Sequence, residues 1–244
     1  MILLAVMATV QSGDLFSPDN IRFFADTLYV QEQYSEALGE YRRYRFCAVS
    51  PDSIVDIRII RCLLYLERYP DALAEARRLP GTAARSYYAG LVFFYAGEYD
   101  SARSYLNHPD PASTPNGRRI LGLSYAEEYD FIEAGQYFDL PVPGPKHRHP
   151  WLGGIMSLFP GGGHFYAGRI DDGIYSLLVV GTASCLAWYY HDRDEDAKFA
   201  CCLAAGIVFY GGSIYGGINA TQNYNLAENE EYLERIREEN PITE

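Results

Sequence analysis

Basic residues are in short supply: 20 Lys and Arg stand against 32 Asp and Glu, a formal charge of −12 over 244 residues. A chain this acidic lacks the cationic surface on which nucleic-acid binding depends, so nucleic acid is not an expected partner. Cysteine is also sparse, at five, and no two form a C-x-x-C pair. That excludes a disulfide scaffold and a structural zinc knuckle, and no metal site is expected. Catalytic signatures are missing as well. There is no Gly-x-Ser-x-Gly, no His-Glu-x-x-His, no nucleotide fingerprint and no carboxylate pair suited to a cleft. Neither catalytic residues nor a cofactor are therefore expected, and the chain does not read as an enzyme. What is abundant is apolar matter, 48% of residues, with tyrosine the outlier at 22. That content excludes wholesale disorder. A mean hydropathy of −0.16 excludes a polytopic membrane protein, but the average conceals a polar half joined to an apolar one.

Met1 to Val10 is uncharged and mostly apolar, too short to span a bilayer. Residues 1–10 fit the apolar core of a secretory signal, with Ala8 near a candidate cleavage point. No Lys or Arg precedes the run, so the alternative is an apolar start that caps the first helix.

Over residues 17–140 an aromatic followed three positions later by Ala recurs four times: Tyr34/Ala37, Tyr69/Ala72, Tyr99/Ala102 and Phe131/Ala134, spaced by 35, 30 and 32 residues. Apolar stretches of helical period flank each pair. Ser50-Pro51-Asp52, Pro80-Gly81-Thr82 and Pro109 to Pro115 punctuate the units. Ser50 or Asp52, Thr82 and Thr114 are candidate N-caps, and Pro115 suits a first helical turn. Gly90, Ala102, Gly122 and Ala134 are small enough to let paired helices approach closely, with Gly122 expected to face Ala134. The tyrosines are expected mainly to pack helix on helix, with hydroxyls at a solvent edge.

This pattern resembles the tetratricopeptide repeat. The fourth unit carries it best, through Leu121, Gly122, Tyr125, Ala134 and Phe138, and the third through Ala89, Gly90, Phe93, Gly97, Tyr99 and Ala102. The resemblance implies a helical solenoid that binds another protein. Cys47 and Cys62 would fall on stacked neighbouring repeats. They are a candidate disulfide if this half is exported, and otherwise two thiols acting as small hydrophobes.

Residues 141–150 form a linker, with Pro141, Pro143 and Pro145 incompatible with a helix. His147 and His149 alternate with Lys146 and Arg148, a polar patch rather than a ligand set. Within 151–219 the composition changes. Gly173 to Tyr190 gives 18 residues without a charge and Phe199 to Ile218 gives 20. As helices they reach about 27 and 30 Å, the thickness of a bilayer core. The polar tip from His191 to Lys198 separates them, and aromatic residues edge both spans. These residues read as a two-helix transmembrane hairpin, with the lipid bilayer as a partner. Gly212-x-x-x-Gly216 is the expected packing stripe, against Gly181, Ala183 and Ser184 of the first span. Residues 220–244 form a polar, acidic tail that could extend the second helix into water.

Ahead of the hairpin, Pro160, Gly161, Gly163, Tyr166 and Gly168 are similar to the Pro-Gly-x-Gly-x-x-Tyr-x-Gly signature of the two-transmembrane-helix domain family. His164 stands where that family more often has Gln. Pro160 and the glycines are expected to break a short apolar helix and turn the chain along the membrane surface. Asp171 and Asp172 fall where a helix dipole favours carboxylates.

The expectation is thus an all-α protein: a tetratricopeptide-like solenoid followed by a membrane hairpin. The repeats would act as an interaction scaffold or assembly factor in a bacterial envelope. The alternative is a small membrane module that inserts, senses or conducts, with the repeats regulating it. A signal would put the hairpin in the inner membrane and the repeats in the periplasm. Counting Lys and Arg favours the reverse orientation, with both ends cytoplasmic. Sequence says nothing of oligomeric state.

Overall fold

A computed structural model describes residues 16–107, 114–138 and 144–242. The candidate signal at 1–10 and part of the linker, 141–143, lie outside the described residues. Among the described residues every regular element is a helix, and the chain divides into two compact units. One comprises the chain up to Pro141 with residues 240–244, the other Val142–Glu239.

The first unit runs through α1 (Pro18–Val30), α2 (Tyr34–Cys47), α3 (Ser53–Tyr65), α4 (Tyr69–Ala76), α5 (Thr82–Tyr95), α6 (Tyr99–Leu106), α7 (Pro115–Ala126) and α8 (Phe131–Ala134). Each helix packs on its neighbours in sequence, and α3, α5 and α7 also meet in succession. Side chains of Ser17, Asp52 and Thr114 cap α1, α3 and α7, and Pro115 opens α7. At α5 the cap is Gly81, with φ 95°, and Thr82 is the first helical residue, so the expected Thr82 cap falls one position late.

The four aromatic/Ala pairs occupy one structural position. Tyr34, Tyr69, Tyr99 and Phe131 each begin a helix. Ala37, Ala72, Ala102 and Ala134 are all completely buried. The turns before them repeat too. Glu32, Glu67, Gly97 and Tyr129 all have positive φ. The next N–H bonds back in each case, Gln33 to Leu28, Arg68 to Leu63, Glu98 to Phe93 and Asp130 to Tyr125. This is the Schellman closure of a helix C-terminus, and only Gly97 meets it without steric cost.

The core of the unit is filled by Tyr41, Val55, Ile59, Ile60 and Leu63, then by Leu106, Ile120 and Leu121. Tyr41 is buried whole and its hydroxyl donates to Asp26 at 2.6 Å. Burial and that carboxylate together hold its pKa far above the ordinary tyrosine value. A Cβ on Gly90 would come within 2.5 Å of Leu106 Cγ, so the glycine admits that side chain. Gly122 differs from expectation. The nearest atoms to a Cβ there belong to the Phe138 ring, at 2.6 Å, rather than to Ala134. The ring is the bulkier group and takes the space that the missing side chain leaves.

The second unit contains α9 (Pro150–Met156), α10 (Gly162–Tyr166), α11 (Ile170–His191) and α12 (Asp196–Glu239). Helices α11 and α12 are long and apolar enough to cross a membrane. Their most apolar windows are only 22% and 6% buried, whereas the core helix of a soluble protein buries such a face. Helix α12 has 44 residues, about 66 Å at the standard rise, and carries the polar tail as its continuation.

Candidate functional site

The glycine-rich segment before α11 brings three helices together. Gly161 has φ 82°, and its N–H donates to Ser213 Oγ on α12 at 3.1 Å. A side chain there would be strained and would also meet Gly173. Gly163 sits where α9, α10 and α12 converge, and a Cβ would stand 2.7 Å from Gly217 Cα. Ser157 Oγ fastens this crossing: it donates to the Gly153 carbonyl at 2.9 Å and accepts from Gly163 N–H at 3.1 Å. The segment thus brings backbone directly against backbone, as small residues permit in close-packed helices. Pro160 precedes the turn, and Gly168, with φ 81°, ends the short helix.

Tyr166 is held from two sides. Its hydroxyl accepts from His149 N–H at 3.3 Å, and its carbonyl accepts from the Arg148 guanidinium. That guanidinium also lies 3.8 Å from the Tyr224 ring centre, a cation–π contact. The Arg148 backbone exchanges two 2.8 Å hydrogen bonds with the Asn225 side chain, and His147 pairs with Asn229 at 2.7 Å. The stretch from His147 to His149 is therefore laid along the polar half of α12.

The Gly212-x-x-x-Gly216 stripe does not join the two apolar helices. A Cβ on Gly212 would meet nothing within 4 Å, and one on Gly216 would meet His164. The buried stripe of α12 is Ser213, Gly217, Ala220 and Thr221. Each position along a helix turns the side chain by about 100°, so a shift of one residue moves the seam off Gly212. The α11–α12 contact runs instead through Ser176 and Ser213, whose Oγ atoms are 2.6 Å apart, and through Gly206 beside Ala183. Sequence reading gave no weight to Gly153, Ser157, Ser176, Ser213 or Thr221. Their partners are 37 or more positions away or lie across a turn, so no local pattern marks them.

The first unit holds a groove of about 260 Å³. Leu64, Tyr65, Tyr69, Tyr87, Leu91 and Tyr95 line it, together with Arg61 and Glu67. Ile242, from the C-terminal segment of the same unit, forms part of the groove's wall and packs on the core. Burial raises the pKa of Tyr87, keeping it a neutral phenol. Elsewhere on the unit, Arg45 makes a bidentate pair with Glu75 at 2.7 and 3.2 Å. That hydrogen-bonded guanidinium holds the Glu75 carboxyl below the usual carboxylate range.

Cys47 and Cys62 are both free thiols. Cys47 is exposed at the end of α2, whereas Cys62 is wholly buried in α3. Burial pushes the Cys62 thiol up to about 12. Among the described residues no three His, Cys, Asp or Glu side chains are grouped to hold a metal ion.

Comparison with known protein families, with curated proteins and with solved structures finds no match for this chain. Among the described residues every regular element is thus a helix, and two of these helices are long and apolar enough to span a membrane.

Proposed function

We propose that this is a non-enzymatic, membrane-anchored protein of the bacterial envelope. Its first unit, a tetratricopeptide-like solenoid, binds a protein partner as a scaffold or assembly factor. Helices α11 and α12 form a transmembrane hairpin, introduced by a segment like that of the two-transmembrane-helix domain family. The exposed apolar faces of α11 and α12 support the anchor, since water would not tolerate surface of that extent. The inner membrane, with the repeats periplasmic, is the location that an N-terminal signal would give.

The observation that carries the binding role is the tyrosine-lined groove, with Ile242 forming part of its wall. Its aromatic and aliphatic walls support the view that the groove accepts an apolar side chain. Aromatic walls with an Arg and a Glu among the lining residues suit recognition of a short peptide. Affinity capture of the full chain in mild detergent tests the reading. A partner recovered with the wild type and lost with Tyr95→Glu, at unchanged helicity, is the expected result. Equal recovery with both chains contradicts binding through this groove.

A further inference from the structure

A second cavity, of about 450 Å³, lies in the hairpin unit between the first turns of α11 and the facing stretch of α12. Its lining changes character along the helix axes. At one end stand Arg169 and Asp172, with Arg169 Nε 2.6 Å from Asp172 Oδ2, and His164 beside them. Ser176 and Ser213 follow, three residues inside the uncharged run that starts at Gly173 and five inside the one that ends at Ile218, or about 5 and 8 Å. Beyond them the lining is Val179, Val208 and Phe209. The cavity is thus charged at the end of the spans, hydroxylic at the next level and apolar below.

That order matches a phospholipid, with phosphate and amine outermost, ester oxygens next and acyl chain innermost. Resting on the membrane reading given above, we propose that this cavity binds one zwitterionic phospholipid of the phosphatidylethanolamine type. Arg169 takes the phosphate and Asp172 the ammonium group. Ser176 and Ser213 meet the ester level, and an acyl chain lies along Val179 and Phe209.

The geometry of the mouth favours this occupant. The mouth holds one cation and one anion as a pair, so its fixed charges sum to zero. An anionic headgroup would leave Asp172 facing like charge, whereas phosphoethanolamine answers both residues. Their side chains are 51% and 44% exposed, which leaves the outer guanidinium nitrogens and the second carboxylate oxygen open to a ligand. Finally, His164 Nδ1 is buried without a hydrogen-bond partner beside this pair. Burial also lowers the His164 pKa, so the ring is neutral at pH 7 and adds no charge to the mouth. Ser213 Oγ already accepts from Gly161 N–H and from Ser176, which leaves its own proton for a lipid oxygen. Free phosphate would satisfy only the mouth and leave the apolar floor uncovered.

The test is native mass spectrometry of the full chain in detergent, titrated with phosphatidylethanolamine, phosphatidylglycerol or inorganic phosphate. Phosphatidylethanolamine should bind about tenfold more tightly than phosphatidylglycerol, a difference of about 1.4 kcal/mol. Asp172→Asn should abolish that preference, and Arg169→Gln should weaken both lipids. Val179→Trp should block both while leaving the mouth charges intact. Should it fail to fold, as read by circular dichroism, Arg169→Gln decides in its place. Equal affinity for the two lipids overturns the proposal, as does displacement by phosphate alone or indifference to Arg169→Gln. A chain that resists carbonate extraction yet shows no lipid preference overturns this inference alone. Release by carbonate overturns the membrane reading itself.

Discussion

Gly163 and Gly217, 54 positions apart, approach so closely that a Cβ on the first would stand 2.7 Å from the Cα of the second. The Pro-Gly-rich segment therefore works as a packing joint, and its glycines answer to different neighbours. Gly163→Ala should overpack the crossing of α9, α10 and α12 and destabilise the hairpin by about 1–3 kcal/mol. Gly212→Ala, which meets open space, should change stability by less than about 0.5 kcal/mol. Thermal unfolding of both variants in detergent checks the pair. A larger loss for Gly212→Ala would return the helix contact to the Gly212/Gly216 stripe.

In the first unit, the Phe138 ring fills the space against Gly122. Gly122→Leu should cost about 1–3 kcal/mol through the same overpacking. Adding Phe138→Ala should recover part of the loss, because the ring is what the new side chain meets. Melting temperatures of the two variants measure this, and no recovery in the double variant would contradict the contact.

The two cysteines should behave oppositely. At pH 7–8 a thiol reagent should label exposed Cys47 and leave Cys62 unmodified until denaturant is added. The sign follows from burial, which raises the Cys62 pKa to about 12 and keeps the thiol protonated throughout that range. Labelling of Cys47 only after reduction would mean that it is bridged.

How much of this was readable in sequence depended on the range of the interaction. The Tyr34/Ala37 periodicity is local, since a buried Ala one turn into a helix repeats whenever the same pair of helices repeats. The Schellman turns were not readable. Glu32, Glu67 and Tyr129 occupy the left-handed conformation where glycine is the usual marker, and only Gly97 signalled it. The hairpin was visible as two uncharged runs, because length and charge alone define it. Its seam was not. Choosing between Gly212 and Ser213 needs the rotation of α12 about its axis, which is set by distant Gly153, Gly163 and Ser176. The cavity between α11 and α12 was hidden for the same reason. Arg169, Asp172 and Ser213 become neighbours only after the chain has reversed at the tip.

Orientation is decided at that tip. With a signal directing the repeats outward, the His191–Lys198 segment lies in the cytoplasm. In a cysteine-free chain, Ala197→Cys should resist an impermeant thiol reagent in intact inner-membrane-bounded cells and react once they are opened. Labelling in intact cells would place the repeats in the cytoplasm.

The proposed anchor requires α11 and α12 to lie in a bilayer. Alkaline carbonate extraction of membranes carrying the full chain tests it most directly, because carbonate strips proteins held by charge or by peripheral contact and leaves those embedded in lipid. The full chain should remain entirely with the membrane pellet. Recovery of the chain in the supernatant would mean that these helices are not embedded in lipid.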